Sequence, residues 1–315
     1  MGMGLHFMAS PRPPNSEFTR SVSSTISSQR GEFTLHFYVP MDYKKDGKTT
    51  QWPAVINFHG GGFAIGSATD DARFARFVTE KSKALFVSVD YRLAPKYPFP
   101  IAVEDGLRID PNRLATSGFS AGGNIAITAP IRLYLLSQTT AIPEHTIVAL
   151  VTFYPITNYT IGREERRAAS KRPDATLPAW LTNFFDSSYL FPPESDLSDP
   201  CLSPNKASDE LLIKGIPNNV FFFTCEWDML LAEGEHLARR LELPPISKRV
   251  FYYMVRRVCH GWDKSPNPIK PPHKSEKVYK ECCTRLCRVF NGDNPRFVLG
   301  RPRRVPPAGP KKRNG

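Results

Sequence analysis

The chain has little of what would tie it to a membrane, a secretory route or a disulfide scaffold. Its longest apolar stretch, residues 125–136, is shorter than the roughly 20 residues a spanning helix needs, and Pro130 and Arg132 interrupt it. Residues 1–14 lack the apolar core of a signal peptide, and His6 stands where a myristoylation signal requires Ser or Thr. Six cysteines, at 201, 225, 259, 282, 283 and 287, show no paired spacing of a disulfide framework. Cys283 and Cys287 stand four apart, as two metal ligands on one helix face could, but no His or Asp of suitable spacing completes a site. Buried free thiols in a reducing compartment are the expectation, hence a cytoplasmic protein with no metal and no cofactor.

Acidic residues are absent from the last twenty positions, which hold seven basic ones: Arg296, Arg301, Arg303, Arg304, Lys311, Lys312 and Arg313. Much of the net charge of +12 therefore sits in one tail and the body is only mildly basic, so no nucleic-acid partner is expected. With Pro302, Pro306, Pro307 and Pro310 among its charges, the segment 291–315 can neither form a helix nor bury a core. It is read as a solvated, disordered terminus.

What is present is an alternation of apolar strands and helices. Residues 33–39, 54–58, 84–90 and 114–117 read as strands, with a helix over 72–83 between the second and third. Further strands follow at 146–154, 219–224 and 249–255. Helices are expected over 124–137, interrupted or kinked at Pro130, and over 274–290. Such alternation argues for an α/β fold, a mostly parallel sheet with helices on both faces. Residues 1–30, rich in Ser, Thr and Pro, form a flexible arm or part of a lid. Between 156 and 204 the pattern lapses into charged, aromatic and Pro-rich sequence, where a cap over an active site would be inserted.

Gly118-Phe119-Ser120-Ala121-Gly122 lies between a strand-like and a helix-like segment, the pattern of a nucleophile elbow. The glycines answer a steric need, because so tight a turn brings backbone against both positions. Chance alone would supply this motif in roughly one such chain in ten, so its surroundings decide. A serine hydroxyl needs a histidine base, an acid that orients it, and donors for an oxyanion. Asp228 follows the strand at 219–224, and His260 follows the strand at 249–255, in the order Ser, acid, His. Glu226 and Asp263 compete with Asp228. Asp263 lies too near His260 to reach behind its ring without a sharp turn, and Glu226 lies too near the strand end. Before the elbow, His59-Gly60-Gly61-Gly62 directly follows a strand, leaving backbone N–H groups uncovered for an oxyanion.

These segments resemble the hormone-sensitive-lipase family of α/β-hydrolases, close to its fungal members. The resemblance also takes in Asp90-Tyr91-Arg92-Leu93-Ala94-Pro95, Phe99-Pro100, Glu104-Asp105-Gly106, Asp228-Met229-Leu230, Glu233-Gly234-Glu235 and His260-Gly261-Trp262, and runs over about residues 31–290. It implies an α/β-hydrolase domain over 1–290, capped by about 1–30 and 156–204. It further implies a serine carboxylesterase for short to medium acyl esters, such as acetylated metabolites, in which Ser120 is nucleophile, His260 base, Asp228 orienting acid, and the N–H groups of Gly60, Gly61 and Ala121 the oxyanion hole. The partner would be a small ester; oligomeric state is left open. Phe119 stands where the family often has Asp, a change expected to leave the chemistry untouched. Most of a helix usual between the equivalents of Gly106 and Asp110 is absent. A non-catalytic ligand receptor on the same scaffold and an inactive product of a truncated gene model are the alternatives.

Overall fold

A computed structural model describes residues 13–24, 27, 29–44, 51–105, 113–140, 146–192, 195–264 and 274–293. Eight strands, β1 (Phe18–Ser24), β2 (Gly31–Tyr38), β3 (Ala54–Phe58), β4 (Leu85–Asp90), β5 (Leu114–Phe119), β6 (Ile147–Phe153), β7 (Asn219–Cys225) and β8 (Arg249–Val255), form one sheet. Their order is β1-β2-β4-β3-β5-β6-β7-β8. The pairings that involve β2 are antiparallel and the rest parallel, so the expected α/β-hydrolase architecture is present. The parallel strands are nearly all apolar because both faces are covered. Phe221 and Phe223 enter a core shared with α1 (Ala72–Phe77) and α8 (Ser275–Phe290), while Phe222 between them enters the core of the opposite face. That second core packs against α2 (Ile101–Asp105), α3 (Ala121–Ser137), α6 (Asp209–Gly215) and α7 (Leu231–Glu242). Neighbouring strands are bound further by an aromatic ladder: Phe119 stacks on Phe153 at 4.4 Å and Phe153 on Phe223 at 4.6 Å.

Three expectations need correction. The arm at 1–30 contains β1, an edge strand whose Phe18 stacks on Phe37 at 4.6 Å. Most of its residues face solvent, so no apolar alternation marks it. The helix expected over 72–83 is α1 followed by a wider π-helical turn, Val78–Ser82, with Ser82 Oγ donating to the Cys283 carbonyl. Third, of the interruption or kink expected at Pro130 the interruption is absent, since α3 continues through the proline to Ser137. Proline has no N–H for the carbonyl four residues back, and here Thr116 Oγ1 of β5 donates to that carbonyl, Ala126 O, at 3.0 Å. A donor from the sheet replaces the missing helical one.

The insertion between β6 and β7 carries α4 (Arg163–Ala169) and α5 (Ala179–Tyr189). The shortened crossover around Gly106 to Asp110, residues 1–12 of the arm and almost all of the basic tail lie outside the described residues. All six cysteines are free, with Cys259 exposed, Cys287 half-buried and the other four buried. Among the described residues no helix is long and apolar enough to cross a membrane.

Replacing Thr116 by Val, which keeps the shape, should strand the buried Ala126 carbonyl and cost about 1–3 kcal/mol in urea unfolding. Adding Pro130→Ala, which supplies a backbone N–H, should recover most of that loss. A Thr116→Val protein as stable as the parent would show that the hydroxyl carries no such duty.

Candidate active site

Ser120 occupies the turn between β5 and α3 at φ 54° and ψ −118°, a conformation that L-residues hold only where their surroundings fix it. The surroundings are backbone. A Cβ at Gly118 would stand 2.1 Å from the Gly122 carbonyl oxygen, and one at Gly122 would stand 2.0 and 2.4 Å from the carbonyl oxygens of Phe58 and His59. The first contact lies within the elbow, as expected. The second is against the end of β3, which no local pattern reveals. The Ser120 N–H donates to the Phe153 carbonyl at 2.9 Å, tying the turn to β6.

From the loop after β8, His260 brings Nε2 to 2.8 Å from Ser120 Oγ. Its Nδ1 lies 2.7 Å from Asp228 Oδ2, in the loop after β7. A carboxylate can only accept, so Nδ1 carries the hydrogen and Nε2 is left to accept from the serine hydroxyl. Asp228 is buried, and its other oxygen accepts the Leu230 N–H at 3.0 Å. The rival acids are engaged elsewhere. Glu226 pairs with Lys171 at 3.1 Å and accepts the Arg257 N–H at 3.0 Å. Asp263 accepts from the hydroxyls of Tyr154 and Tyr279. Burial, with the Asp263 charge adding to it, holds both phenols well above their ordinary pKa, so they remain neutral donors.

Two hydrogen bonds orient the glycine loop after β3. Tyr91 Oη donates to the His59 carbonyl at 2.9 Å, and the His59 ring, stacked on Tyr91 at 4.2 Å, donates from Nδ1 to the Gly60 carbonyl at 2.7 Å. In a trans peptide the carbonyl and the following N–H point oppositely, so holding these two oxygens aims the N–H groups of Gly60 and Gly61 the other way. Among the described residues those two groups and the N–H of Ala121 have no hydrogen-bond acceptor. Gly61 sits at φ +121°, and a Cβ there would reach 2.0 Å from the Ile65 carbonyl oxygen. At Gly62 a Cβ would fall 2.1 Å from the ring of Phe185, so the loop is also pared down to admit α5.

The structure thus brings together Ser120, His260, Asp228, Gly60, Gly61 and Ala121. Ser120, His260, Gly60 and Gly61 border a cavity of about 280 Å³ whose apolar wall is Ile65 with Leu177, Leu181 and Phe185 of the insertion, and whose polar wall holds Asp70, Asp71 and Lys264. Sequence reasoning assigned no role to Tyr91, Arg92, Asp105 or Asn124, although the first three stand in the quoted motifs and Asn124 lies two residues past the elbow. Arg92 grips buried Asp105 at 2.7 Å and accounts for the two motifs that hold them. Asn124 Nδ2 donates to the carbonyls of Ile156 and Leu202, both at 2.9 Å, and so clasps both ends of the insertion. Among the described residues no cluster of three or more His, Cys, Asp or Glu is placed to hold a metal ion.

Comparison with known proteins points the same way. A family model described as the alpha/beta hydrolase fold matches residues 55–264. The "AB hydrolase superfamily protein C1039.03" of Schizosaccharomyces pombe is 34% identical over 167 residues, 49% of this chain and 48% of that protein, so the chain matches about half of that relative's length. An "Arylesterase" of Saccharolobus solfataricus is 29% identical over 263 residues, 77% of each chain. Among solved structures, the ester-hydrolase EH1AB1 from the metagenome of Lake Arreo superposes with a TM-score of 0.73 at 25% identity, over 91% of this chain and 88% of that one.

Gly122→Ala tests the backbone contact directly. Carbonyl oxygens on the neighbouring strand cannot withdraw as a side chain can, so the substitution should lower unfolding stability by about 3 kcal/mol or more or abolish soluble expression. A Gly122→Ala protein melting within a degree or two of the parent would contradict that packing.

Proposed function

The chain belongs to the α/β-hydrolase family, and from that premise we propose that it hydrolyses carboxylic esters of short to medium acyl chain through an acyl-enzyme on Ser120. The observation that carries this reading is the single imidazole of His260 joining Ser120 Oγ at 2.8 Å to Asp228 at 2.7 Å. Ser120 Oγ attacks the ester carbonyl while His260 Nε2 takes its proton. Asp228 keeps the ring in the tautomer that can accept, and stabilises the imidazolium that forms. Negative charge on the tetrahedral oxygen falls to the N–H groups of Gly60, Gly61 and Ala121. The intermediate collapses, the proton passes from His260 to the departing alcohol, and an acyl-serine remains. Water then attacks with the same base, and the carboxylic acid leaves.

A cavity of about 280 Å³ lies at the small end of ligand pockets, which supports compact acyl groups. In this reading residues 156–204, with the N-terminal arm, form the cap of a hydrolase domain over 1–290. Leu177 and Leu181 then limit the acyl chain. A receptor on the same scaffold would have no use for a base bonded to the serine, so that hydrogen bond favours the enzyme.

Ser120→Ala should abolish hydrolysis of p-nitrophenyl acetate and butyrate and block labelling by a fluorophosphonate; undiminished turnover in that variant would remove the mechanism. Leu181→Ala should lengthen the cavity and raise kcat/KM for p-nitrophenyl octanoate relative to acetate by about ten-fold. If neither Leu181→Ala nor Leu177→Ala alters chain-length preference, the insertion does not set it.

A further inference from the structure

One buried cation has no part in the steps above. Lys264 ends a short turn, Trp262–Lys264, four residues past His260, with its side chain 12% exposed. Its Nζ lies 2.6 Å from Asp71 Oδ1, 3.2 Å from Asp263 Oδ2 and 3.7 Å from the centre of the Phe119 ring. The three contacts belong to the three segments that the chemistry must align. Asp263 is in the loop of His260. Phe119 immediately precedes Ser120. Asp71 accepts from Asn57 Nδ2 at 2.7 Å, and Asn57 stands in β3 two residues before His59. Asn57 Oδ1 in turn accepts from Ser117 Oγ of β5 at 2.8 Å, three residues before the serine. A continuous polar line thus runs from the base loop beneath the glycine loop to the nucleophile strand. Burial alone would push the Lys264 ammonium down, but the charges of Asp263 and Asp71 outweigh it and keep the group protonated.

We propose that Lys264 is a positioning residue that holds the His260 loop in register with the Ser120 turn and with the strand carrying the Gly60 and Gly61 amides. The inference rests on the reading of Ser120 as nucleophile. Without the ammonium two buried carboxylates face each other, and Asp263, three residues from the base, is driven away from Asp71. Displacement of a catalytic group by about 1 Å costs on the order of a hundred-fold in rate.

Lys264→Met should lower kcat for p-nitrophenyl acetate by roughly 10–100-fold while KM stays within about three-fold, and fluorophosphonate labelling should slow in parallel. Lys264→Met/Asp71→Asn restores the net charge of the buried cluster without restoring the bridge. Its melting temperature should return toward that of the parent while kcat stays low, and it carries the test if the single variant does not fold. Lys248→Met is the matched control, since that buried lysine donates to the Ile213 and Ile216 carbonyls at 2.7 and 2.6 Å, outside the cavity; it should lose stability and keep kcat. Recovery of kcat together with melting temperature in the double variant, or a folded Lys264→Met with kcat within two-fold of the parent, overturns the proposal alone. A parent protein with neither Ser120-dependent turnover nor labelling overturns the reading of Ser120, and this inference with it.

Discussion

Two stretches of backbone meet with no room for a side chain between them, and the site follows from that contact. β3 and β5 are neighbours in the sheet although β4 separates them in the chain, and Phe58 of the one lies opposite Gly118 of the other. Beyond this pair the strands end and their turns diverge, one into the glycine loop and the other into the elbow. At Gly122 the second turn touches the carbonyls that close the first. The spacing between the Gly60 and Gly61 amides and Ser120 is therefore set by peptide against peptide, which varies far less than contact through flexible side chains. The N-terminus of α3 adds the uncommitted N–H of Ala121 at the same edge.

Polar side chains inside the sheet layer extend this control to the rest of the site. Asn57, Ser88 and Ser117 are fully buried on central strands where apolar residues are the rule. The Asn57 amide bonds Ser117 on one side and Asp71 on the other, so these groups are partnered rather than stranded. On the opposite side of the elbow Asn124 holds Ile156 and Leu202, while Glu233 of α7 accepts the Thr157 N–H at 2.7 Å and pairs with buried Arg166 of α4 at 2.8 Å. Leu177, Leu181 and Phe185 are thereby referred to the same helix that begins at the serine.

How much of this could be read in advance depended on how local each cause is. Strands buried on both faces appear as continuous apolar runs, and the glycines of the elbow and loop answer a steric demand within a few residues, so the central sheet, Ser120, Gly60, Gly61 and His260 were legible. The polar edge strand β1 was not, since solvent on most of its surface erases the period of two. Nor was the continuity of α3 through Pro130, because the compensating donor, Thr116, belongs to another element. Position along the chain favoured Asp228 over Glu226 and Asp263, but did not reveal the physical competition behind the choice: Lys171 and Arg257 claim the one rival, and two tyrosines and Lys264 the other. Sequence order cannot report such competition.

Phe119 shows how a substitution just before Ser120 is absorbed in the packing around it. Where the resembled family often has Asp, this chain places a ring that completes the ladder Phe119–Phe153–Phe223 and turns a face toward the Lys264 ammonium. An aspartate there would give a third carboxylate around one cation in a buried setting, with a desolvation cost of several kcal/mol that a single ammonium would have to offset. The ring meets the same cation through its quadrupole, worth about 2 kcal/mol when desolvated, and requires no counter-charge of its own. The aromatic character of this layer and the two-carboxylate composition of the cluster around Lys264 are therefore one constraint: with Phe at 119, Asp71 and Asp263 are sufficient to hold the ammonium against the strand that delivers Ser120.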